Sequence, residues 1–154
     1  MGLPSGFVAR PAVPADAAGV TSCVIAAYRH YVDRNGKVPA PMRDDYGKVI
    51  AECDVTVIEH DGGVVAVLVV KETSEGFLLD NIAVAPTAQG LGLGRYLLAL
   101  AEDKACTAGH ESIYLYTQEV MIENLALYER TGYVEYARRT EIGLDRIYLR
   151  KALA

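Results

Sequence analysis

The 154-residue sequence has no apolar run longer than Val64 to Val70, far short of the roughly 20 residues that a membrane-spanning helix needs. Its first twenty residues lack the charged start and apolar block of a secretion signal. Met1-Gly2 opens like a myristoylation site, but Gly6 stands where Ser or Thr is required. Basic charge is also short, with Lys and Arg at 15 against 20 Asp and Glu and a net charge of −5. Nucleic-acid partners need a strong basic field, so none is expected. Cysteine is sparse: Cys23, Cys53 and Cys106 are scattered and odd in number, which fits a reducing compartment and excludes a disulfide framework or a zinc site. His30, His60 and His110 hold no ligand spacing to one another or to the cysteines, so no metal is expected. These absences point to a cytoplasmic protein with neither membrane nor nucleic-acid partner. What is present is core material: 51% apolar and 23% charged residues are enough to fill one core over 1–154.

The order of patterns is strand, two helices, three strands, then alternation. A strand through Phe7 to Arg10 ends at Pro11. Pro14 and Asp16 then open a helix with Val20, Val24, Ala27, Tyr28 and Tyr31 at helical spacing, stopping before Asn35-Gly36. A shorter helix is expected from Met42 to Glu52. Cys53, Val55 and Val57 alternate with polar residues as a strand does, and Asp61-Gly62-Gly63 supplies a tight hairpin. The β-branched run Val64 to Val70 predicts a strand covered on both faces, and Phe77 to Ala85 predicts the third strand of an antiparallel meander. A helix from Gly92 to Thr107, with Leu97, Leu98, Ala101 and Ala105 on one face, leads to a strand at Ser112 to Thr117. That β-α-β unit is expected to be parallel. A helix at Ile122 to Arg130 and strands at Tyr133 to Arg139 and Arg146 to Lys151 close the chain, with Gly143 between them. The fold class is α/β: a mixed sheet, meander first and β-α-β second, flanked by helices.

The most informative stretch follows the third meander strand, where Gln89-Gly90-Leu91-Gly92-Leu93-Gly94-Arg95 opens a helix. Glycine lets a backbone curl tightly and approach a ligand. First-turn N–H groups and the positive end of the helix dipole suit a phosphate or pyrophosphate. Two common phosphate loops fail by residue. A dinucleotide loop needs glycine where Arg95 stands, and a nucleotide P-loop needs Lys-Ser or Lys-Thr where Arg95-Tyr96 stands.

Gln89, Gly92 and Gly94, following Val84 and Pro86, match the Q/R-x-x-G-x-G/A signature of the GNAT superfamily. Asn124 to Tyr133 resembles that family's late helix and following strand, and Arg10-Pro11-Ala12 its opening. The sequence therefore resembles the acyl-CoA-dependent N-acyltransferases over nearly its whole length. The resemblance implies acetyl-CoA as cosubstrate and no metal. Its pyrophosphate would lie on the amides of Gln89, Gly90, Leu91, Gly92, Leu93, Gly94 and Arg95. Its peptide-like arm would pair with Ile82, Ala83 and Val84 by strand addition. It further implies two central parallel strands splayed apart and an N–H near Ile82 to Val84 facing the oxyanion.

Transfer to an amine also calls for an acid at the leaving sulfur. Tyr128 lies four residues after Asn124, on one helix face, and the family alignment makes Tyr128 that acid, with core packing as the alternative. Reference pKa values of about 10 for a phenol and 8.5 for a thiol differ by roughly 2 kcal/mol. Asn124 either binds the arm or caps its helix. Asp80 shares a face with Ile82 and Val84 if its strand is regular. The resemblance, in which a carboxylate on that strand often serves, makes Asp80 the candidate base. A plain strand-edge acid is the alternative, Glu119 and Glu123 are competitors, and a neutral amine needs no base. The resemblance puts the acceptor against the first two helices and the last hairpin. Here those offer Tyr28, Tyr31, Arg34, Asp44, Asp45, Tyr46, Arg138, Arg139 and Glu141, with a solvated face as the alternative for many of them. That mixed set suits an amino acid, a polyamine, an aminoglycoside or a peptide terminus. A non-catalytic acyl-CoA-binding or regulatory module is the alternative function. A homodimer through an apolar edge at Ile147 and Leu149 is the expected assembly, the same residues being equally suited to a core.

Overall fold

Alternating β-branched and apolar residues build the sheet. The structure, a computed structural model, describes residues 2–35 and 38–153. Among them run β1 (Phe7–Pro11), β2 (Asp54–His60), β3 (Gly63–Thr73), β4 (Gly76–Val84), β5 (Ser112–Gln118), β6 (Val134–Glu141) and β7 (Leu144–Ala152). They form one sheet in the order β1-β2-β3-β4-β5-β7-β6. Strands β1 to β4 are antiparallel neighbours, and β4 and β5 are parallel. Helices α1 (Ala17–Asn35) and α2 (Tyr46–Glu52) cover one face, and α3 (Leu93–Thr107) and α4 (Ile122–Arg130) the other. The β3 run is sealed on both sides, with Val67 and Val69 under α1 and Ala66, Leu68 and Val70 under α3. Each buried valine or leucine among them contributes about 1.5–3 kcal/mol. No helix among the described residues is long and apolar enough to cross a membrane. No group of three His, Cys, Asp or Glu among them could hold a metal.

Three expectations change. The helix expected from Met42 to Glu52 is split into a 3-10 turn at Ala40–Arg43 and α2, because Asp45 is extended and its carboxylate caps α2 by accepting from the Lys48 N–H at 3.3 Å. The last two strands run further toward each other than their side-chain patterns predict. They stay paired as far as Glu141↔Leu144, which leaves only Ile142-Gly143 as the turn. The apolar edge at Ile147 and Leu149 is not an edge. Strand β7 lies between β5 and β6, and both side chains are core. The helix expected to stop before Asn35-Gly36 takes in Asn35 as its last residue, and Gly36 lies outside the described residues.

Two irregularities shape the functional region. Strands β4 and β5 pair only at Phe77↔Ile113, Leu78↔Tyr114 and Leu79↔Leu115. Beyond those pairs β5 stays bound to β7 as far as Gln118↔Arg146, so the sheet opens between β4 and β5. At the same point β4 bulges: Val70 pairs with Leu79 and Val69 with Asn81, leaving Asp80 as the extra residue. The bulge reverses the alternation. Leu79 and Ile82 pack in the α3-side cluster, although they stand three apart.

Candidate active site

The glycine loop takes the form that the sequence implies. A 3-10 turn at Pro86–Ala88 ends β4, and the Gln89 side chain folds back, its Nε2 donating to the Val84 carbonyl at 3.2 Å. Gly90 and Gly92 have φ of +83° and +84°, and a Cβ on Gly90, Gly92 or Gly94 would meet nothing within 4 Å. The loop is therefore an open cradle. Tyr96 N–H donates to the Gly92 carbonyl at the start of α3, so the N–H groups of Leu93, Gly94 and Arg95 have no helical acceptor. The Gln89 N–H is turned back to the Pro86 carbonyl at 3.5 Å, so the cradle's amides begin at Gly90.

From this loop a cavity of about 410 Å³ runs along Ile82, Ala83 and Val84 to Asn124 and Tyr128. Gln89, Gly90, Gly92, Leu93 and Gly94 line its far end, whereas Leu91 and Arg95 are exposed outside the lining. An open backbone cradle at one end and an unpaired strand edge along one wall fit a pyrophosphate joined to a peptide-like arm. Asn124 is the third residue of α4, and Met121 precedes the helix as its cap. The capping role for Asn124 is thereby excluded.

A second cavity, of about 270 Å³, lies further along the same opening, between Leu79 to Ile82 of β4 and Leu115 to Gln118 of β5. Tyr28, Ile82, Asn124 and Tyr128 line both cavities, so the two meet at the Tyr128 ring. Burial raises the Tyr128 phenol above its usual pKa. Asp80 faces this second cavity and, because of the bulge, not the α3-side cluster in which Ile82 and Val84 pack. Its carboxylate accepts from the Tyr116 hydroxyl at 3.4 Å. Desolvation raises the Asp80 pKa, against the pull of Lys71, Tyr116 and Arg146. Next along the bulge, buried Asn81 accepts from the Tyr28 hydroxyl at 2.9 Å and donates to the Tyr46 hydroxyl at 3.0 Å. Tyr46 in turn donates to the Pro41 carbonyl at 2.6 Å. Both outer helices thus hold the bulge.

The remaining acceptor candidates separate. Tyr28 and Asp44 line the second cavity and Tyr31 the first. Tyr46 acts from behind through Asn81. Asp45 caps α2, Arg138 pairs with Glu135 and Glu119, Arg139 with Glu75, and Glu141 with Arg146. The Arg34 side chain lies outside the described residues. Glu119 is turned toward Arg138, and Glu123 lines the first cavity. Sequence reading misses Lys71, Asn81, Tyr116, Ile142 and Arg146, which also line the second cavity. They converge only through the bulge and the insertion of β7 beside β5, neither of which has a local sequence signal.

The acetyltransferase (GNAT) domain model matches residues 51–135. Among solved structures, a GNAT-family protein from Desulfovibrio desulfuricans superposes with a TM-score of 0.78 at 22% identity, covering 96% of this chain and 99% of that one. The PaiA N-acetyltransferase of Thermoplasma acidophilum, solved with coenzyme A, gives 0.77 at 14% identity over 95% and 98%. A GNAT acetyltransferase of Elizabethkingia anophelis with acetyl-CoA bound gives 0.68 at 17% identity over 97% and 100%. These likenesses show a shared fold. No curated protein sequence matches the chain.

Proposed function

The chain belongs to the GNAT acetyltransferases, and from that premise we propose that it moves the acetyl group of acetyl-CoA directly onto an amine of a small molecule or peptide. Acetyl-CoA, when bound, supplies a thioester activated toward amines and a sulfur leaving group. The observation that carries this reading is the junction of the two cavities at Tyr128, Asn124, Tyr28 and Ile82. Donor and acceptor can approach that point from the two cavities.

Each residue then has a defined task. The Gly90 to Arg95 amides hold a pyrophosphate against the positive end of α3. The open β4 edge at Ile82 to Val84 offers main-chain groups to the arm and an N–H to developing negative oxygen. Asn124 is placed to hydrogen-bond the arm. Asp80 takes a proton from the acceptor ammonium, and desolvation raises its pKa, as suits a base. Tyr128 donates its hydroxyl proton at the departing sulfur. With reference acidities that donation is uphill by about 2 kcal/mol, since a phenol is the weaker acid. The dry site that raises the phenol raises a neighbouring thiol by the same desolvation, so the gap need not widen.

Tyr128→Phe is the test. It should lower CoA release on a responsive amine about 10²-fold or more while CoA binding by calorimetry is kept. Wild-type turnover in that variant would remove Tyr128 from the mechanism. CoA binding without turnover on any of a broad panel of amines would favour a binding module instead.

A further inference from the structure

The acceptor cavity carries more charge than proton transfer needs. At about 270 Å³ it stands at the small end of ligand sites. Asp44 and Asp80 line it together with Lys71 and Arg146, so its formal charges cancel. A polyamine or aminoglycoside would set cationic groups against Lys71 and Arg146, which costs affinity.

Both signs are also incompletely used. Asp80 accepts only the long bond from Tyr116, and the exposed Lys71 side chain has neither hydrogen bond nor ion pair among the described residues. Arg146, its side chain 10% exposed, stacks 4.5 Å over the Tyr116 ring and reaches Glu141 through Nη1 alone, at 3.4 Å. Lys71, Arg146 and Asp80 line the same small cavity, which puts anion-binding and ammonium-binding groups close together.

The uncharged part of the lining adds a third feature. Ile142, at the tip of the β6–β7 hairpin, is 72% exposed and has φ +47°. A β-branched residue in that conformation is a true outlier, and such strain gathers where a side chain is needed for function. Ile142 lines the cavity together with Ala40, Pro41 and Met121.

Resting on the acetyl-transfer reading above, we propose that the acceptor is a small apolar α-amino acid, its ammonium at Asp80, its carboxylate at Lys71 and Arg146, and its side chain against Ile142 and Pro41. The transfer balances as one C–N bond formed and one C–S bond broken. Two nitrogen protons leave, one through Asp80 to solvent and one that restores the Tyr128 hydroxyl after its own proton has passed to sulfur.

Saturation-transfer NMR on the full chain with CoA present reads acceptor binding without turnover. The probes are L-leucine, L-leucinamide, glycine and spermidine. Leucine should bind about tenfold or more tighter than leucinamide or glycine, with spermidine weakest. Lys71→Gln should lower the leucine-to-leucinamide ratio severalfold, Arg146 keeping the rest, and Lys71→Arg should restore it. Ile142→Gly should do the same to the leucine-to-glycine ratio. Leucinamide or spermidine binding as tightly as leucine, or leucine not binding, overturns the proposal. Selective leucine binding without CoA release on any amine would defeat the transfer reading and leave the acceptor class standing. CoA release with spermidine but not leucine would do the reverse.

Discussion

At the scale of one residue, Asp80 brings the two demands on the site into conflict. Asp80 was a candidate base through the resemblance, which often sets a carboxylate on the strand before the glycine loop. Its direction was not legible, because regular alternation would put it beside Ile82 and the bulge turns it toward Tyr116 instead. Desolvation raises its pKa. A carboxyl raised in the folded state contributes stability below its unfolded pKa, and that contribution is lost as pH rises through the folded value. At neutral pH the buried charge therefore works against folding. Asp80→Asn should be more stable than wild type in denaturant melts at pH 7, and that advantage should shrink toward pH 4. The same variant should lose 10²-fold or more in kcat/KM. The wild-type acid limb of kcat/KM should lie above the ordinary aspartate value of about 3.9. An Asn variant that keeps both activity and the acid limb would clear Asp80 of the base role.

Among elements, the strands and α3 followed their periodicity, and the departures came from backbone chemistry that side-chain patterns encode weakly. Asp44-Asp45 splits the expected second helix because an Asp placed just before a turn is a better cap than a helix interior. The β6–β7 hairpin closes in two residues, with Ile142 and Gly143 at φ +47° and +74°. Those are the signs of a turn that normally carries Asn-Gly, and Ile-Gly gives little warning of it. The conformational penalty there is about 1–2 kcal/mol for a non-glycine residue. Ile142→Asn should recover roughly 1 kcal/mol and raise the melting temperature by about 2–4 °C. A calorimetric scan checks this. An unchanged or lower melting temperature would show that Ile142 packs well enough to offset its own strain.

For the whole molecule, the decisive feature is a sheet joined on one side of the active region and open on the other. The meander and the β-α-β unit were legible because each is local in sequence. The place of β7 between β5 and β6 was not, since it sets residues as distant as Ser112 and Ala152 side by side and gives Ile147 and Leu149 the same apolar look as an edge. That insertion shapes the opening: β5 is held by β7 along its length, and the β5-facing edge of β4 is unpaired beyond Leu79. One core cluster sits under α3 and α4 and another under α1 and α2. A ligand lying in the opening touches β4, the start of α3 and α4 together, so its binding must act on the stability of the assembled sheet. At a CoA concentration 100 times the dissociation constant, linkage contributes about 2.7 kcal/mol, or a rise of roughly 5–10 °C in melting temperature for a chain of this length. Hydrogen exchange should place the added protection at Ile82 to Val84 and at Gly90 to Arg95, with little on β6, because β5 and β7 separate β6 from the opening. Protection that spreads evenly, or that misses Gly90 to Arg95, would mean that the glycine loop is not where the pyrophosphate rests.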